Sequence, residues 1–303
     1  MTGGRREHVV DLDGPVRVVD HGGAGRTFLC VHGLGGAALD WQVIAPALAS
    51  HGRVLALDLP GFGDSPPPPE AATLGRLQRT LDDLLRAEVA GPAVLVGNSL
   101  GGLLALLQAT TRPSSVEGLV LLSPVLPAHV RRLPHPLTTI QFLVYALPSV
   151  GEWFVRSRRR RLGPRRLVDT SLRFVAADPA AIPGWVSTQR AELITRLAAR
   201  PDSERAVAAV ARSLLYLLMT PGAYERIIRA VTAPALVLHG AEDRLGSARS
   251  AVALRTLRPD WTVRVLDGVG HVPQLEAAPT VVDEVVRWLA DLGPATADIA
   301  GPA

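Results

Sequence analysis

Short apolar segments alternate with amphipathic helical patterns along most of this 303-residue chain. A strand that is buried on both faces reads as a continuous apolar run, whereas a helix packed on a sheet repeats its apolar residues every three to four positions. The alternation therefore predicts an α/β fold, with a mostly parallel central sheet and helices on both of its faces. The predicted strands cover residues 16–19, 27–32, 53–58, 93–98, 119–123, 235–239 and 263–267.

Two helical patterns are especially clear. One is TLGRLQRTLDDLLRAEV, for which Thr73 is the predicted N-cap, and the other is VVDEVVRWLADL at 281–292. The first eight or so residues and the tail from Gly293 are predicted to be poorly ordered. The leucines that share one face of the first pattern are Leu74, Leu77, Leu81, Leu84 and Leu85.

The alternation stops between about Leu126 and Thr220, where helical patterns and prolines occur without a clear strand. This predicts a core formed by residues 1–125 and 221–303, with a helical cap inserted over residues 126–220. Because 48% of the residues are apolar but only 4% are aromatic, the core is expected to consist of Leu, Val and Ala.

Cysteine usage and the N-terminal sequence predict a cytoplasmic protein. Cys30 is the only cysteine, so no intramolecular disulfide can form, and within TFLCVHG it is predicted to be a small buried apolar residue. The N-terminus has no apolar run of signal-peptide length. No window reaches the roughly 18 uninterrupted apolar residues of a membrane-spanning helix.

Ser99 lies at the corner between a predicted strand and a predicted helix, in AVLVGNSLGGLLAL. Gly97 and Gly101 flank it at two residues on either side, which forms the Gly-X-Ser-X-Gly pattern of a nucleophile elbow. The sharp turn projects the serine hydroxyl away from the sheet, and the glycines are needed where the two backbones pass too close for a Cβ. The pattern predicts that Ser99 is a catalytic nucleophile.

A serine nucleophile needs a base, and the base needs a carboxylate to fix its tautomer. His271 lies in a Gly-bounded loop after the last predicted strand and is the predicted base. Asp243 follows the preceding predicted strand by four residues and is the predicted orienting acid, in the chain order Ser, Asp, His. Glu242 and Asp267 are the competing carboxylates; the first is expected to point elsewhere, and the second has too short a loop to reach.

The negative charge of a tetrahedral intermediate needs backbone donors. The Leu100 N–H, directly after the nucleophile, is one predicted donor. The Leu34 N–H is the predicted second donor, because the glycines of CVHGLGG allow the backbone to fold over the serine. One such donor is worth about 3 kcal/mol in a transition state.

These motifs resemble the α/β-hydrolase fold superfamily over nearly the whole chain. The matching pieces are HGLGG, DLPGFGDS (58–65), GNSLGG (97–102), HGAED and GHVPQLEAAP, in the order typical of that superfamily. The resemblance implies an eight-stranded sheet with a lid inserted after the sixth strand. It also implies that the 58–65 loop is a structural turn beside the mouth of the active site.

The branch within this superfamily is indicated by a few positions. Haloalkane dehalogenases and epoxide hydrolases use an Asp nucleophile, and Ser99 speaks against that chemistry. GNSLGG also resembles the carbon–carbon hydrolases of ring-cleavage pathways. Many of those place an aromatic residue after the catalytic His, whereas Val272 and Pro273 follow it here. The motif GHVPQLEAAP is more similar to the esterase and lipase branch.

The predicted cap carries an excess of positive charge. Residues 126–220 contain 15 Arg and 6 acidic residues, a net of +9, whereas the remainder contains 17 Arg and 22 acidic residues, a net of −5. The cap combines the apolar run LTTIQFLVYALPSVGEWFV with the basic run RSRRRRLGPRR. Two interpretations stay open: the apolar run roofs the pocket beside solvated arginines, or the cap contacts an anionic membrane or substrate. No aromatic residues interleave with the arginines, so no nucleic-acid partner is expected.

The sequence thus predicts a serine hydrolase that cleaves a small, lipophilic carboxylic ester through an acyl-enzyme, without a cofactor or metal. Hydrolysis of a C–C bond in a ring-cleavage diketone, thioester cleavage, and acyl transfer are the enzymatic alternatives; a non-catalytic binding protein of the same fold is the remaining one. His239 is predicted to be structural. His129 and His135 lack the accompanying ligands that a metal site needs. The sequence does not specify the oligomeric state.

Overall fold

The computed structural model describes residues 5–127, 136–200 and 203–293 of the chain. Eight strands form one sheet in the order β1-β2-β4-β3-β5-β6-β7-β8. All neighbouring pairs from β4 to β8 across the sheet are parallel, whereas β2 pairs antiparallel with both β1 and β4. The strands are β1 (Arg6–Asp11), β2 (Pro15–Asp20), β3 (Thr27–Val31), β4 (Arg53–Leu57), β5 (Ala93–Asn98), β6 (Val116–Leu122), β7 (Ala235–Gly240) and β8 (Thr262–Leu266).

Helices cover both faces of this sheet, which confirms the predicted α/β architecture. The helices are α1 (Ala45–Leu48), α2 (Leu74–Glu88), α3 (Leu100–Thr111), α4 (Pro136–Ala146), α5 (Val150–Val175), α6 (Gly184–Ala198), α7 (Ser203–Leu218), α8 (Pro221–Ala230), α9 (Ala248–Leu257), α10 (Pro273–Glu276) and α11 (Ala278–Leu292).

Alternate residues of the central strands belong to two separate apolar clusters. In β3, Leu29 and Val31 pack with α2, α3, α8 and α9, whereas Phe28 and Cys30 pack with α1 and α11. Side chains of a strand point to opposite faces in turn, so each cluster marks one face of the sheet. Cys30 is fully buried, as predicted, and burial raises the pKa of its thiol.

Helix α2 has the predicted amphipathic pattern. Its five predicted leucines are buried, and the Thr73 hydroxyl accepts a hydrogen bond from the Arg76 N–H at 3.2 Å, which caps the first turn.

The first strand corrects a prediction. Residues 6–8 belong to β1 and are not poorly ordered, because β1 pairs antiparallel with β2 from Arg6–Asp20 to Asp11–Pro15. The hairpin between them contains Asp13 and Gly14, both with positive φ. This Asp-Gly pair is a strong hairpin signal in a sequence, and it was the signal that would have identified the strand. Residues 1–4, and the predicted poorly ordered tail beyond Gly293, lie outside the described residues.

Helices, and no strands, occupy the described residues between β6 and β7. Helix α5 bends at Gly163, which has a φ of 68° and is followed by Pro164. The domain boundaries at 125/126 and 220/221 stay predictions, and His129 and His135 lie outside the described residues. Within the described ranges, no single helix is long and apolar enough to cross a membrane, and the one pair that passes that test together, α7 with α8, is bent by 89°.

Candidate active site

Ser99 occupies a sharp turn at the carboxyl end of β5. Its φ of 54° and ψ of −113° are unusual for a residue with a side chain. The backbone holds this conformation: the Ser99 N–H donates to the Leu122 carbonyl at 3.0 Å, and the Ser99 carbonyl accepts from Leu103 and Val125. The serine is therefore held between the end of the sheet and the start of α3, in the strained geometry predicted for an elbow.

The two glycines around Ser99 have the predicted steric reason. A Cβ at Gly97 would lie 2.4 Å from the backbone carbonyl carbon of Gly101, and a Cβ at Gly101 would lie 1.9 Å from the Val31 carbonyl oxygen. Both contacts are with backbone, so neither can be relieved by a side-chain rotation. Helix α3 can approach β3 and β5 this closely only with glycine at both positions.

Asp243 and His271 are brought together from two loops. His271 Nδ1 lies 2.8 Å from Asp243 Oδ2, in the geometry of a donated hydrogen bond. The other oxygen, Oδ1, accepts the N–H groups of Leu245 at 2.7 Å and Gly246 at 3.0 Å. Burial opposes the charged form of Asp243, but the charge and hydrogen bond of His271 outweigh it and lower the pKa of the carboxyl. The carboxylate is thus suited to hold one imidazole tautomer.

The competing carboxylates are placed elsewhere. Glu242 and Asp267 are both exposed, and Asp243 has a fully buried side chain. Within the described residues, only Asp243 forms an ion pair or hydrogen bond with the His271 ring.

His239 is nearer to this pair than its predicted structural role suggested. It is fully buried at the end of β7, and its Nε2 lies 3.3 Å from Asp243 Oδ2. Burial lowers the pKa of His239, so the ring is neutral at pH 7. Two imidazoles therefore flank one carboxylate oxygen. The four-residue spacing of His239 and Asp243 was the only sequence signal for this contact.

Asn98 links the nucleophile turn to the histidine loop. Its buried Nδ2 donates to the carbonyls of Leu122 at 2.9 Å and His271 at 3.0 Å. Sequence reasoning did not identify this residue, although it directly precedes Ser99. Among the described residues, no hydrogen bond joins the Ser99 hydroxyl to His271. The Asn98 bridge therefore sets the position of the His271 backbone relative to the elbow.

Glu276 is a second residue that sequence reasoning missed. Its Oε2 accepts the N–H groups of Gly270 at 3.0 Å and Ala177 at 2.7 Å, and its Oε1 accepts that of Val272 at 3.3 Å. One carboxylate thus holds both sides of His271 and ties this loop to the end of α5. The His271 N–H itself donates to the Val175 carbonyl at 2.7 Å.

The HGLGG turn after β3 is held by its histidine. The Leu59 N–H donates to His32 Nε2 at 3.0 Å, so the proton of the neutral ring is on Nδ1, which lies 2.8 Å from the Gly33 carbonyl. Burial lowers the pKa of His32, which favours this neutral form. A Cβ at Gly33 would lie 3.2 Å from Ser99 Cβ, so the turn runs directly beside the serine.

The predicted oxyanion donors are the N–H of Leu100, the residue directly after Ser99, and that of Leu34, which follows Gly33 in the turn beside the serine. Among the described residues, the N–H groups of Leu34 and Leu100 have no hydrogen-bond acceptor. Their assignment as oxyanion donors, like the roles of Ser99, Asp243 and His271, stays a prediction.

The 58–65 loop is a structural turn, organised around Asp58. This fully buried carboxylate accepts the N–H groups of Ala38 at 2.6 Å and Asp64 at 2.8 Å and pairs with Arg17 at 2.8 Å. It therefore fixes the position of the chain that follows the HGLGG turn.

The helices between β6 and β7 pack against both loops of the site. One apolar cluster joins α5 and α6 to residues beside the HGLGG turn and beside His271. Arg190 on α6 lies 2.6 Å from Asp40, whose Oδ2 accepts the Ala37 N–H at 3.2 Å. The members of the cluster that flank the site are Ala37, Leu39, Val272 and Leu275.

A polar cavity of about 260 Å³ lies apart from this constellation. Neither Ser99 nor His271 lines it. Its lining charges pair with one another, as in Arg17–Asp58 and Arg196–Asp64. Ion pairs thus line this cavity, which lies between α6 and the β1–β2 hairpin.

Comparison with known proteins gives a family match over most of the chain. The model of the alpha/beta hydrolase family matches residues 28–284. Among curated proteins, the chain is 30% identical over 277 residues to the dihydrolipoyllysine-residue acetyltransferase component of the acetoin cleaving system of Pseudomonas putida, covering 90% of this chain and 66% of that protein. It is 30% identical over 287 residues to 2-hydroxymuconate semialdehyde hydrolase of a Pseudomonas species, covering 89% and 88%. It is 30% identical over 280 residues to the pimeloyl-[acyl-carrier protein] methyl ester esterase of Xylella fastidiosa, covering 89% and 97%.

Solved structures show the same fold. A candidate lipase from Acinetobacter baumannii superposes with a TM-score of 0.76 at 22% identity, covering 95% of this chain and 92% of that one. A bacterial membrane phospholipase A superposes with a TM-score of 0.70 at 26% identity, covering 95% and 87%.

Proposed function

The chain belongs to the alpha/beta hydrolase family and is a hydrolase of that fold, and we propose that it is a serine hydrolase that cleaves a lipophilic carboxylic ester through an acyl-enzyme. In this proposal Ser99 is the nucleophile, His271 the general base and acid, and Asp243 the residue that orients His271. The observation that carries it is the 2.8 Å contact between Asp243 and His271 beside a strained serine turn.

The first half-reaction forms the acyl-enzyme. His271 Nε2 takes the proton of the Ser99 hydroxyl while Oγ attacks the ester carbonyl carbon. The carbonyl oxygen becomes an oxyanion, which the N–H groups of Leu34 and Leu100 stabilise. The intermediate collapses as the C–O bond to the alcohol breaks, and the imidazolium returns its proton to the leaving alkoxide oxygen. The product alcohol departs and the acyl group stays on Ser99.

The second half-reaction repeats these steps with water. His271 takes a proton from the water, whose oxygen attacks the acyl carbon, and then returns the proton to Ser99 as the acid leaves. Asp243 stabilises the imidazolium in both halves and stays ionised. Its lowered pKa is consistent with that role.

Apolar surroundings support a lipophilic acyl group. Leu34, Val125 and Phe142 are partly buried and pack together with the main apolar cluster, and the Val125 N–H donates to the Ser99 carbonyl. The similarity to a solved membrane phospholipase A agrees with such a substrate. The choice of an ester bond is supported by the similarity to a protein named pimeloyl-[acyl-carrier protein] methyl ester esterase.

A fluorophosphonate probe tests the nucleophile. We expect wild-type protein to be labelled once, and Ser99→Ala to lose both labelling and ester turnover, the latter by about 10³-fold or more. Ser114→Ala, at an exposed serine outside the site, is the matched control and should behave as wild type. Undiminished labelling of Ser99→Ala in a folded protein would exclude Ser99 as the nucleophile.

Hydrolysis of a C–C bond in a ring-cleavage diketone is the second candidate. It would use the same three residues, and the similarity to 2-hydroxymuconate semialdehyde hydrolase favours it. A panel of p-nitrophenyl esters of increasing chain length, a ring-cleavage diketone and an acyl-CoA distinguishes the candidates. The ester proposal expects the highest kcat/KM on a medium or long ester. Preference for the diketone would assign C–C hydrolysis, and preference for acyl-CoA would assign thioester cleavage or acyl transfer.

A further inference from the structure

Large apolar side chains are exposed where α4 meets α5. We call this surface the α4–α5 face and define it by five residues that lie within a short stretch of the chain. Single exposed apolar residues are common on proteins, but a contiguous exposed group marks an interaction surface. The five residues and their exposed fractions are Ile140 57%, Leu143 47%, Leu147 50%, Val150 46% and Trp153 58%.

The spacing of these residues shows that α4 is apolar on two sides. Phe142 and Ala146, four residues apart, face the interior, and the first packs with the main apolar cluster. Ile140, Leu143 and Leu147, the residue directly after α4, follow the i, i+3, i+7 pattern and lie on a second, exposed side. The inner side accounts for the packing of α4 on the protein. The outer side has no partner among the described residues.

Arginines continue the same exposed side along α5. Trp153, Arg156 and Arg160 follow the i, i+3, i+7 spacing, and all three are exposed. A helix rises 1.5 Å per residue, so Trp153 and Arg160 are about 10 Å apart along the axis. The face is therefore apolar at the α4–α5 corner and cationic about two turns further on.

The basic run 158–161 divides into an inner and an outer half. Arg159 is buried to a large extent and donates to Ser203 at 2.7 Å, and Arg158 Nη1 lies 3.4 Å from the Tyr145 hydroxyl. Arg160 and Arg161 are exposed and, within the described residues, form no ion pair. The first two arginines hold the helices together, and the last two are available to a partner.

We propose that the α4–α5 face docks on an anionic phospholipid surface. The apolar corner would enter the boundary between headgroups and acyl chains, and Arg160 and Arg161 would contact the phosphates. An interfacial helix lies in the plane of the membrane, with its apolar face about 5–10 Å deep in that boundary and its basic side chains at the level of the phosphates. Apolar residues beside arginines without acidic partners are complementary to an anionic lipid leaflet.

A second copy of the chain fits this face less well. A twofold-symmetric contact needs a surface that is complementary to itself. The cationic half of the face offers no free carboxylate to a copy, since Glu152 lies 3.4 Å from Arg212 and Glu204 pairs with Arg156. Opposed copies would bring unpaired arginines of like charge towards each other. An anionic lipid surface removes that repulsion.

This inference deepens the proposed function and depends on it only for the conclusion that the lipid phase supplies the ester. Docking itself does not involve the site, because Ser99 is on the elbow between β5 and α3. Flotation of Ser99→Ala with vesicles therefore tests docking without turnover. Failure of docking and failure of the proposed chemistry are thus separate results.

Vesicle flotation tests the proposal with two double variants and a matched control. The vesicles are phosphatidylcholine alone, or phosphatidylcholine with phosphatidylglycerol, at low and high salt. The variants are Leu143→Ser with Trp153→Ser, and Arg160→Gln with Arg161→Gln. The control is Arg249→Gln with Val252→Ser, an exposed Arg and Val three residues apart on α9. Arg158 and Arg159 stay unchanged because they hold the helices together.

We expect the wild-type protein and the control to float with anionic vesicles at low salt, and much less at high salt. Loss of two arginines should weaken partitioning about 30-fold, since each basic residue near the surface contributes ~1 kcal/mol. Loss of Leu143 and Trp153 should weaken it at least about tenfold at either salt concentration. Hydrolysis of a short soluble ester should be unchanged in both face variants and in the α9 control.

Three results would overturn the proposal. One is a wild-type protein that does not float with anionic vesicles. Another is that both face variants float with anionic vesicles to the same extent as the α9 control. The third is a wild-type dimer that Leu143→Ser with Trp153→Ser makes monomeric, since the face would then be a contact between copies of this chain.

Discussion

Asp243 is the residue on which the charge arrangement of the candidate site depends most. Its two oxygens have different partners: Oδ1 accepts two backbone N–H groups, and Oδ2 faces the rings of His271 and His239. The backbone donors therefore fix the plane of the carboxylate before the imidazole binds to it. This is a property of the folded loop: the sequence predicted Asp243 as the orienting acid but not the partners of its two oxygens.

Replacement of Asp243 by Asn should lower kcat by about 10⁴ with little change in KM. The N–H groups of Leu245 and Gly246 would keep the amide oxygen at the Oδ1 position, so the amide NH₂ would face His271 Nδ1. His271 Nδ1 would then accept a hydrogen bond from the amide instead of donating one, so the ring proton would move to Nε2. With Nε2 protonated, His271 could no longer take the Ser99 proton. Steady-state kinetics with p-nitrophenyl esters measures the effect.

Glu242→Gln is the control for this prediction, because Glu242 is the exposed neighbour of Asp243. Its kcat should stay within about threefold of wild type, as expected for a surface substitution. A larger loss in Glu242→Gln than in Asp243→Asn would reverse the assignment of the orienting acid.

At the scale of elements, the contact between α3 and β3 determines where Ser99 is held. Gly101 lies so close to β3 that no side chain fits, and Gly97 lies too close to the first turn of α3 for a Cβ. The glycines therefore set the distance between helix and sheet, and that distance produces the strained turn. The elbow is a consequence of this packing.

Gly101→Ala should destabilise the protein by more than about 3 kcal/mol or prevent folding, because its Cβ would lie 1.9 Å from the Val31 carbonyl oxygen. Gly75→Ala is the matched control. Its Cβ would meet only the end of the Arg79 side chain at 3.8 Å, and alanine is the better helix former by about 1 kcal/mol. Urea unfolding, or soluble yield where Gly101→Ala does not fold, compares the two. Equal stability of both variants would contradict the close packing at the elbow.

At the scale of the whole molecule, ion pairs join the helices between β6 and β7 to the sheet domain. Arg190 on α6 pairs with Asp40 at 2.6 Å, and Arg196 and Arg200 pair with Asp64 at 2.9 and 3.1 Å. Residues 126–220 carry a net positive charge and the remainder a net negative charge, and these ion pairs join the two across their contact. A partly exposed pair such as Arg196–Asp64 contributes little individually, so apolar packing must supply most of the attachment.

The buried histidines should make the protein less stable as the pH falls below about 6.5. Burial lowers the pKa of His32 and His239, and that of His21 to about 4, whereas the same rings titrate near 6.5 in the unfolded chain. The unfolded state then binds more protons than the folded state, so the free energy of unfolding decreases with pH from about 6.5 downwards. Each fully buried ring contributes at most ~1 kcal/mol between pH 6.5 and 5.5.

Urea unfolding at pH 7.5, 6.5 and 5.5 measures this dependence. His239→Gln should reduce the slope, whereas His51→Gln, at an exposed position, should leave it unchanged. The lowered pKa of Asp243 contributes stability that is lost only when the pH falls below about 4, so its effect lies in a separate range. A flat profile between pH 7.5 and 5.5 would contradict burial of neutral imidazoles.

The amino-acid sequence by itself determined the α/β architecture and the seven strands from β2 to β8, because apolar periodicity and glycine spacing are local properties. It did not reveal β1, whose edge position needs little apolar character. Only the tertiary structure brought His239 to Asp243, Asn98 and Glu276 to the His271 loop, and Arg159 into contact with α7. These contacts join residues from different elements, and their distances depend on how those elements pack, which no local pattern records. For the same reason the sequence showed a basic run at 158–161, but the fold decided which of its arginines face inwards and which remain available to a partner.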